Sequence, residues 1–216
     1  MKKLILLFFA VMAAFIAKAD SPLTSTHFYR AHLDDDFVKM AQQQKGVLTN
    51  MFVEQIVSQP RNFAVNLAII NAIGWDFEAA NSGSDHNYNL FLNYLMRKFK
   101  CKDLKDVIKK CDANTLICLA YTKALENYFD VAEALTIAEK AVKKNPTSRI
   151  IRIVYSLIYA QEHESDGGCL CFDACFSEEY YTDTKPRDID EVWDYMKLYY
   201  NGNCEEEEYK EGGCHD

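Results

Sequence analysis

The chain has 216 residues, with 24 Lys and Arg against 32 Asp and Glu and a formal net charge of −8 at neutral pH. That length fits one domain, or one with an appendage, and an apolar share of 49% is ample for a core. The acidic balance argues against nucleic acid and anionic membrane surfaces as partners and is compatible with basic ones.

Residues 1–19 read as a secretory leader. Lys2 and Lys3 precede an apolar run from Leu4 to Ile16, and Ala17-Lys18-Ala19 is a small-x-small pattern before Asp20. Cleavage between Ala19 and Asp20 is expected. It removes three lysines and no acid, which leaves the mature chain at −11. The apolar run is short for a membrane anchor. The expected location is therefore periplasmic or extracellular, with no stable membrane span after cleavage.

Residues 20–26 read as an extended leader ending in a cap. The spacing then predicts a helix over His27 to Gln44, with Phe28, Leu33, Phe37, Met40 and Ala41 inward and Gly46 as its stop. A second helix is expected over Val47 to Ser58, using Leu48, Met51, Phe52 and Ile56. A third starts near Asn62 and closes on Gly74, a residue suited to a helix end. The stretch from Trp75 to Asp85 is less regular, and Asn81-Ser-Gly-Ser is a loop signal. Asp85 then introduces a helix with Tyr88, Leu92, Leu95 and Phe99 on one stripe, and a short helix follows from Asp103 to Lys110.

The central stretch predicts three helices: Leu116–Phe129, Val131–Lys144 and Arg149–Gln161. Asn145-Pro146 stops the second, because a residue before proline is pushed out of the α region. Thr147 or Ser148 is placed to cap the third. In the second helix Ala134, Ala138 and Ala141, followed by Pro146, have the spacing of the second helix of a tetratricopeptide (TPR) repeat, and Tyr121 and Leu125 stand where its first helix wants packing residues. The stretch resembles about one such repeat. Thr122 departs from the pattern where a small residue is expected, and Ala138 where an aromatic is common. The resemblance implies stacked helical hairpins and a protein-binding scaffold, with no ligand named.

The expected fold is all-α: stacked antiparallel hairpins, α-solenoid or TPR-like, over 20–162. A cysteine-rich, irregular subdomain with an acidic tail follows over 163–216. A last helix is expected from Asp188 to Tyr200, capped by Asp188 with Glu191 three residues on. The run Glu205 to Glu208 reads as a mobile tail unless Cys204 and Cys214 pin it.

The mature chain keeps eight cysteines, and an even count in an exported chain points to disulfides. Cys101, Cys111, Cys169, Cys171, Cys175, Cys204 and Cys214 are the candidates, with Cys118 read as an inert thiol on an apolar helix. Cys101 and Cys111 flank a helix and would stand roughly 12–15 Å apart by its rise, beyond the reach of one bond. With all eight paired, parity requires at least one bridge between the group at 101–118 and the group at 169–214, which would fasten the C-terminal segment to the body. The rival reading is a metal held by Cys169, Cys171 and Cys175 with His163 or His215, at a spacing that matches no strong zinc signature.

Motif chemistry is sparse. There is no His-Glu-x-x-His, no Gly-x-Ser-x-Gly and no phosphate loop. Asp34-Asp-Asp36 reads as a solvated helix face, and Glu162-His163-Glu164 as a solvated break. The aromatic crowd of Phe172, Phe176, Tyr180 and Tyr181 with Trp193, Tyr195, Tyr199 and Tyr200 reads either as a satellite core or as a contact surface, the latter carried by Tyr180, Tyr181, Trp193, Tyr199 and Tyr200. These readings favour a non-catalytic exported scaffold for a protein, peptide or envelope component, without a cofactor. The alternatives are an envelope hydrolase whose groups meet only in the fold, and a structural or inhibitory secreted module.

Overall fold

The computed structural model describes residues 21–44, 46–58, 63–75, 86–163, 174–175 and 177–200, the last five of these as backbone only. Among them the regular structure is helical, as expected, and a lone parallel bridge between Ser148 and Tyr181 is the only β pairing. Ala19, Asp20, Cys169, Cys171, Cys204, Cys214 and the Glu205 to Glu208 run lie outside the described residues.

The N-terminal segment is more broken than its periodicity suggested. Residues 22–25 form a helical turn, α1 (Pro22–Ser25), closed by a reciprocal capping box between Ser21 and Thr24. The expected helix from His27 is a 3-10 turn (Phe28–His32) followed by α2 (Asp36–Gln44). Asp35 makes the break: its carboxylate accepts from the Phe37 and Val38 amides at 2.8 and 3.3 Å, the geometry of a helix start. Leu33 falls in the joint and is 38% exposed rather than inward.

Beyond Gly46, α3 (Asn50–Ser58) starts three residues later than expected, and Met51 points outward at 45% exposure while Phe52 and Ile56 are buried. Next, α4 (Phe63–Ile73) is enclosed from Asn66 to Ile73. It ends at Gly74, whose φ of +72° suits glycine and whose amide donates to the Ile70 carbonyl at 3.1 Å. Then come α5 (His86–Phe99), with Tyr88, Phe91 and Leu95 inward, and α6 (Leu104–Lys110), capped by Asp103.

The centre of the protein is α7 (Ala113–Glu126). Asp112 caps it by accepting the Thr115 amide at 2.7 Å, so it begins three residues earlier than expected. It also ends three residues early, at Glu126 with Asn127 as its C-cap, and Phe129 turns out to solvent at 58% exposure. Every residue of α7 except Asn114 is buried. A helix covered on all sides needs neighbours on all sides, and α7 packs against α8, α5, α9, α4, α1 and α3. Each fully buried Leu or Ile here contributes roughly 1.5–3 kcal/mol.

Two further helices lie close to their expected limits, α8 (Ala132–Lys144) and α9 (Arg149–His163). The small side chains of Ala134, Ala138 and Ala141 face inward on α8 and let it approach α7 closely. Ser148 caps α9 by accepting the Ile151 amide at 3.3 Å. Asp183 adds a second cap from far along the chain. It accepts the Ile150 amide at 2.9 Å and the Ser148 hydroxyl.

The last helix, α10 (Pro186–Tyr200), corrects two expectations. It starts at Pro186, and Asp188 is its third residue, reaching back to the Lys185 amide at 2.6 Å. Glu191 takes no part in the cap and pairs with Arg30 and Arg187 instead. Among the described residues no two cysteines stand at bonding distance. The expected bridge between the 101–118 and 169–214 groups draws on Cys169, Cys171, Cys204 and Cys214, which lie outside the described residues. Hydrogen bonds hold the described C-terminal segment to the body. The Tyr181 amide donates to the Thr147 carbonyl at 2.7 Å, and the Arg149 guanidinium donates to the Ser177 carbonyl at 2.8 Å. Among the described residues no group of His, Cys, Asp and Glu is arranged to hold a metal ion.

Candidate functional site

Of the aromatic residues singled out as a contact surface, Tyr180, Tyr181 and Trp193 have described side chains. Tyr181 stands 73% exposed beside the start of α9. Tyr180 is half-buried, with the Arg152 guanidinium 5.2 Å from its ring centre. Trp193 is half-buried on α10, where Tyr199 and Tyr200 also lie; the side chains of these two are outside the description. An aromatic ladder runs along α9. Tyr155 and Tyr159 are 6.0 Å apart, and His163 stacks on Tyr159 at 3.9 Å. His163 is thus a helix residue, not part of a break between helices.

Three buried polar junctions stand out, and all three join elements distant in sequence. The first is at the end of α7. The Glu126 carboxylate accepts the Asn87 and Tyr88 amides at 2.5 and 2.7 Å, so it caps α5 from another helix. Negative charge suits that position, since the first amides of a helix have no intrahelical partner. Asn87 extends the junction by accepting the Leu48 amide and donating to the Gly46 carbonyl. One turn back, Lys123 is also buried and pairs with Glu133 at 3.4 Å, its ammonium 4.6 Å from the Tyr88 ring centre.

The second junction is Asn71 on α4. It accepts the Tyr29 amide at 2.9 Å and donates to the Thr26 carbonyl and the Tyr121 hydroxyl at 2.9 and 2.7 Å. Burial pushes the Tyr121 hydroxyl far above the ordinary phenol value. The third is the pair His32 and Asp188, 3.2 Å apart and only 2% and 0% exposed. Around it Arg30 meets Glu191 at 3.3 Å and Lys185 meets Asp34 at 3.0 Å. These contacts bind α10 to the 3-10 turn. Asp34 and Asp36, read as a solvated acidic face, each carry an ion pair, Asp36 with Lys39.

Sequence reasoning missed all three junctions. Lys123 and Glu126 carried a signal, since two charges one turn apart on an otherwise apolar helix must find partners when it is buried. His32 and Asp188 carried none, being separated by 156 positions.

The cavities are modest. One of about 20 Å³ sits beside Glu126, Asn87 and Thr122, room for roughly one water. An open depression of about 470 Å³ lies between α3 and α5, lined by Asn50, Glu54, Tyr94, Arg97 and Lys98. The thiols are shielded. Burial, then the neighbouring Cys101, pushes Cys111 up to about 11, and burial raises Cys118 well above the ordinary thiol value. Burial and the Arg30 guanidinium hold His27 below the ordinary imidazole value, against an opposing pull from Glu191. No protein family, curated protein or solved structure matches this chain.

Proposed function

We propose that the chain is an exported, non-catalytic helical scaffold that binds a protein or peptide, built on a TPR-like stacking of hairpins. The carrying observation is where the buried charged groups go. Glu126 caps a neighbouring helix, Lys123 pairs with Glu133, and His32 pairs with Asp188, so each joins one element to another. A catalytic site converges several such groups on one substrate-sized pocket, whereas the cavity beside Glu126 has room for roughly one water. The α7–α8 hairpin, closed by the short joint 127–131 and continued by α9, supports the stacked reading. The open depression between α3 and α5 offers a polar and charged wall with one aromatic ring, Tyr94, as a surface for a peptide.

Affinity capture with the purified chain lacking residues 1–19, from an envelope extract of the native host, tests this reading. Mass spectrometry should identify one polypeptide enriched reproducibly over a denatured-bait control. Recovery of no polypeptide overturns the scaffold.

A further inference from the structure

The chain's charge is unevenly distributed along the sequence, and its net value conceals this. Residues 97–110 and 140–144 hold ten of the 24 Lys and Arg but only two of the 32 acids, Asp103 and Asp106. These two stretches carry a formal +8, leaving −16 on the rest of the chain. They meet in the fold. The Lys110 ammonium donates to the Phe99 and Lys100 carbonyls at 3.1 and 2.9 Å, and so holds the end of α6 to the end of α5. The Lys144 ammonium donates to the Lys109 and Cys111 carbonyls at 3.2 and 2.6 Å, which brings the end of α8 to the same place. All ten cations except the half-buried Lys140 are exposed.

A purely structural reading assigns these lysines to the three helix C-termini gathered here. Each terminus carries roughly −0.5 charge, about −1.5 in all. Two lysines are seen serving that role, and the remaining charge is several times larger than the termini require.

We propose that this cationic pole is a docking site for an acidic polypeptide segment, a deepening of the scaffold reading that rests on it. Charge complementarity names the sign: the two stretches carry a formal +8 in a chain whose other residues sum to −16. The composition favours carboxylates over phosphates. Nine of the ten cations are lysines, which act as point charges, and Arg97 alone offers the planar fork suited to phosphate. The large apolar side chains found exposed, such as Met51, Phe129 and Tyr181, lie outside both stretches. The pole thus offers no wedge for a bilayer and no exposed aromatic platform for bases. The depression beside it is lined by Tyr94, Arg97 and Lys98 of α5 with Asn50 and Glu54 of α3, and Lys98 covers the Tyr94 ring.

The test uses the chain lacking residues 1–19 and a fluorescein-labelled peptide of alternating glutamate and glycine, followed by anisotropy. The comparison variant is Lys102→Glu, Lys105→Glu, Lys109→Glu and Lys143→Glu together, all at exposed positions. Circular dichroism checks its folding, and the matching Lys→Gln set serves if the Glu set does not fold. Binding should weaken at least about tenfold in the Glu set and by an intermediate factor in the Gln set. Wild-type binding should also weaken steeply from about 50 to about 300 mM salt. Unchanged affinity in the variants overturns the proposal. So does binding of phosphatidylglycerol vesicles or a single-stranded DNA oligonucleotide with the glutamate peptide ignored, or binding of none of the three. A native partner captured equally by wild type and variant keeps the scaffold reading and overturns this one.

Discussion

Glu126 sits at the last position of α7, yet its clearest role is in α5, whose first amides it receives. Its replacement leaves two buried donors without an acceptor. Glu126→Ala should lower the unfolding free energy by about 2–4 kcal/mol, and Glu126→Gln, which keeps one acceptor oxygen, by about half that. Urea denaturation of the two variants measures the difference; equal effects would mean that the bonds to α5 do not set the cost. His27 gives a pH dependence with a definite sign. Its folded value lies below the ordinary 6.5, so the unfolded chain binds the proton more readily. The associated stability is complete above about pH 6.5 and declines as the pH falls through the depressed folded value. His27→Gln should therefore show a shallower loss of Tm than wild type on going from about pH 7.5 to about pH 5. The thiols should react in order. Cys101 is half-exposed, whereas Cys111 is buried and pushed up to about 11, and Cys118 is buried and raised well above the ordinary thiol value. Since the thiolate is the reactive form, iodoacetamide at mildly alkaline pH should label Cys101 well before the other two, as peptide mapping would show.

Elements were legible where their cause was local. The alanine stripe of α8, the Ser148 cap of α9, the Gly74 end of α4 and the Asp103 start of α6 are all written within a few residues of their effect. Boundaries failed where a polar side chain overruled an apolar pattern. Asp35 starts a new helix inside the 27–44 stretch, while α7 stops at Glu126, with the Asn127 amide still bonded to the Lys123 carbonyl, although apolar residues continue to Phe129. The candidate contacts failed for another reason. Glu126 to Asn87, Asn71 to Tyr29 and His32 to Asp188 pair residues about 40 to more than 150 positions apart, and no local period encodes them. The docking of α10 on the 3-10 turn tests how much such a junction contributes. Asp188→Ala strands the buried His32 and frees the Lys185 amide, and should cost about 3–5 kcal/mol. Leucine at both 32 and 188 should cost less than Asp188→Ala alone, because it removes the polar pair without leaving half of it behind. A double substitution more damaging than the single one, by chemical denaturation, would assign the junction a net stabilising role.

Over the whole molecule, stability is organised around α7. It contacts elements from α1 to α9, whereas α6 packs mainly on α5. Opening α7 to water therefore means separating most of the structure, and its amides should exchange at rates set by global unfolding. Native-state hydrogen exchange should place α7 among the slowest segments and α6 among the faster ones; the reverse order would displace α7 from the centre. Charge is also a property of this scale. The ten cations near the ends of α5, α6 and α8 were present in the sequence, but summing over the chain cancelled them against a larger number of carboxylates. Only the fold, by bringing residue 144 beside residues 109 and 111, makes a single region of two separate stretches.

The clasp between the 3-10 turn and α10 has a consequence for how the polypeptide matures. Delivery from ribosome or translocon is directional, and the imidazole at 32 emerges long before the carboxylate at 188 that closes over it. Throughout that interval the seam stays wet, and early assembly must wait on late arrival. A product terminated short of that carboxylate would carry an unsealed flank, a mark of incompleteness that a protease can enter.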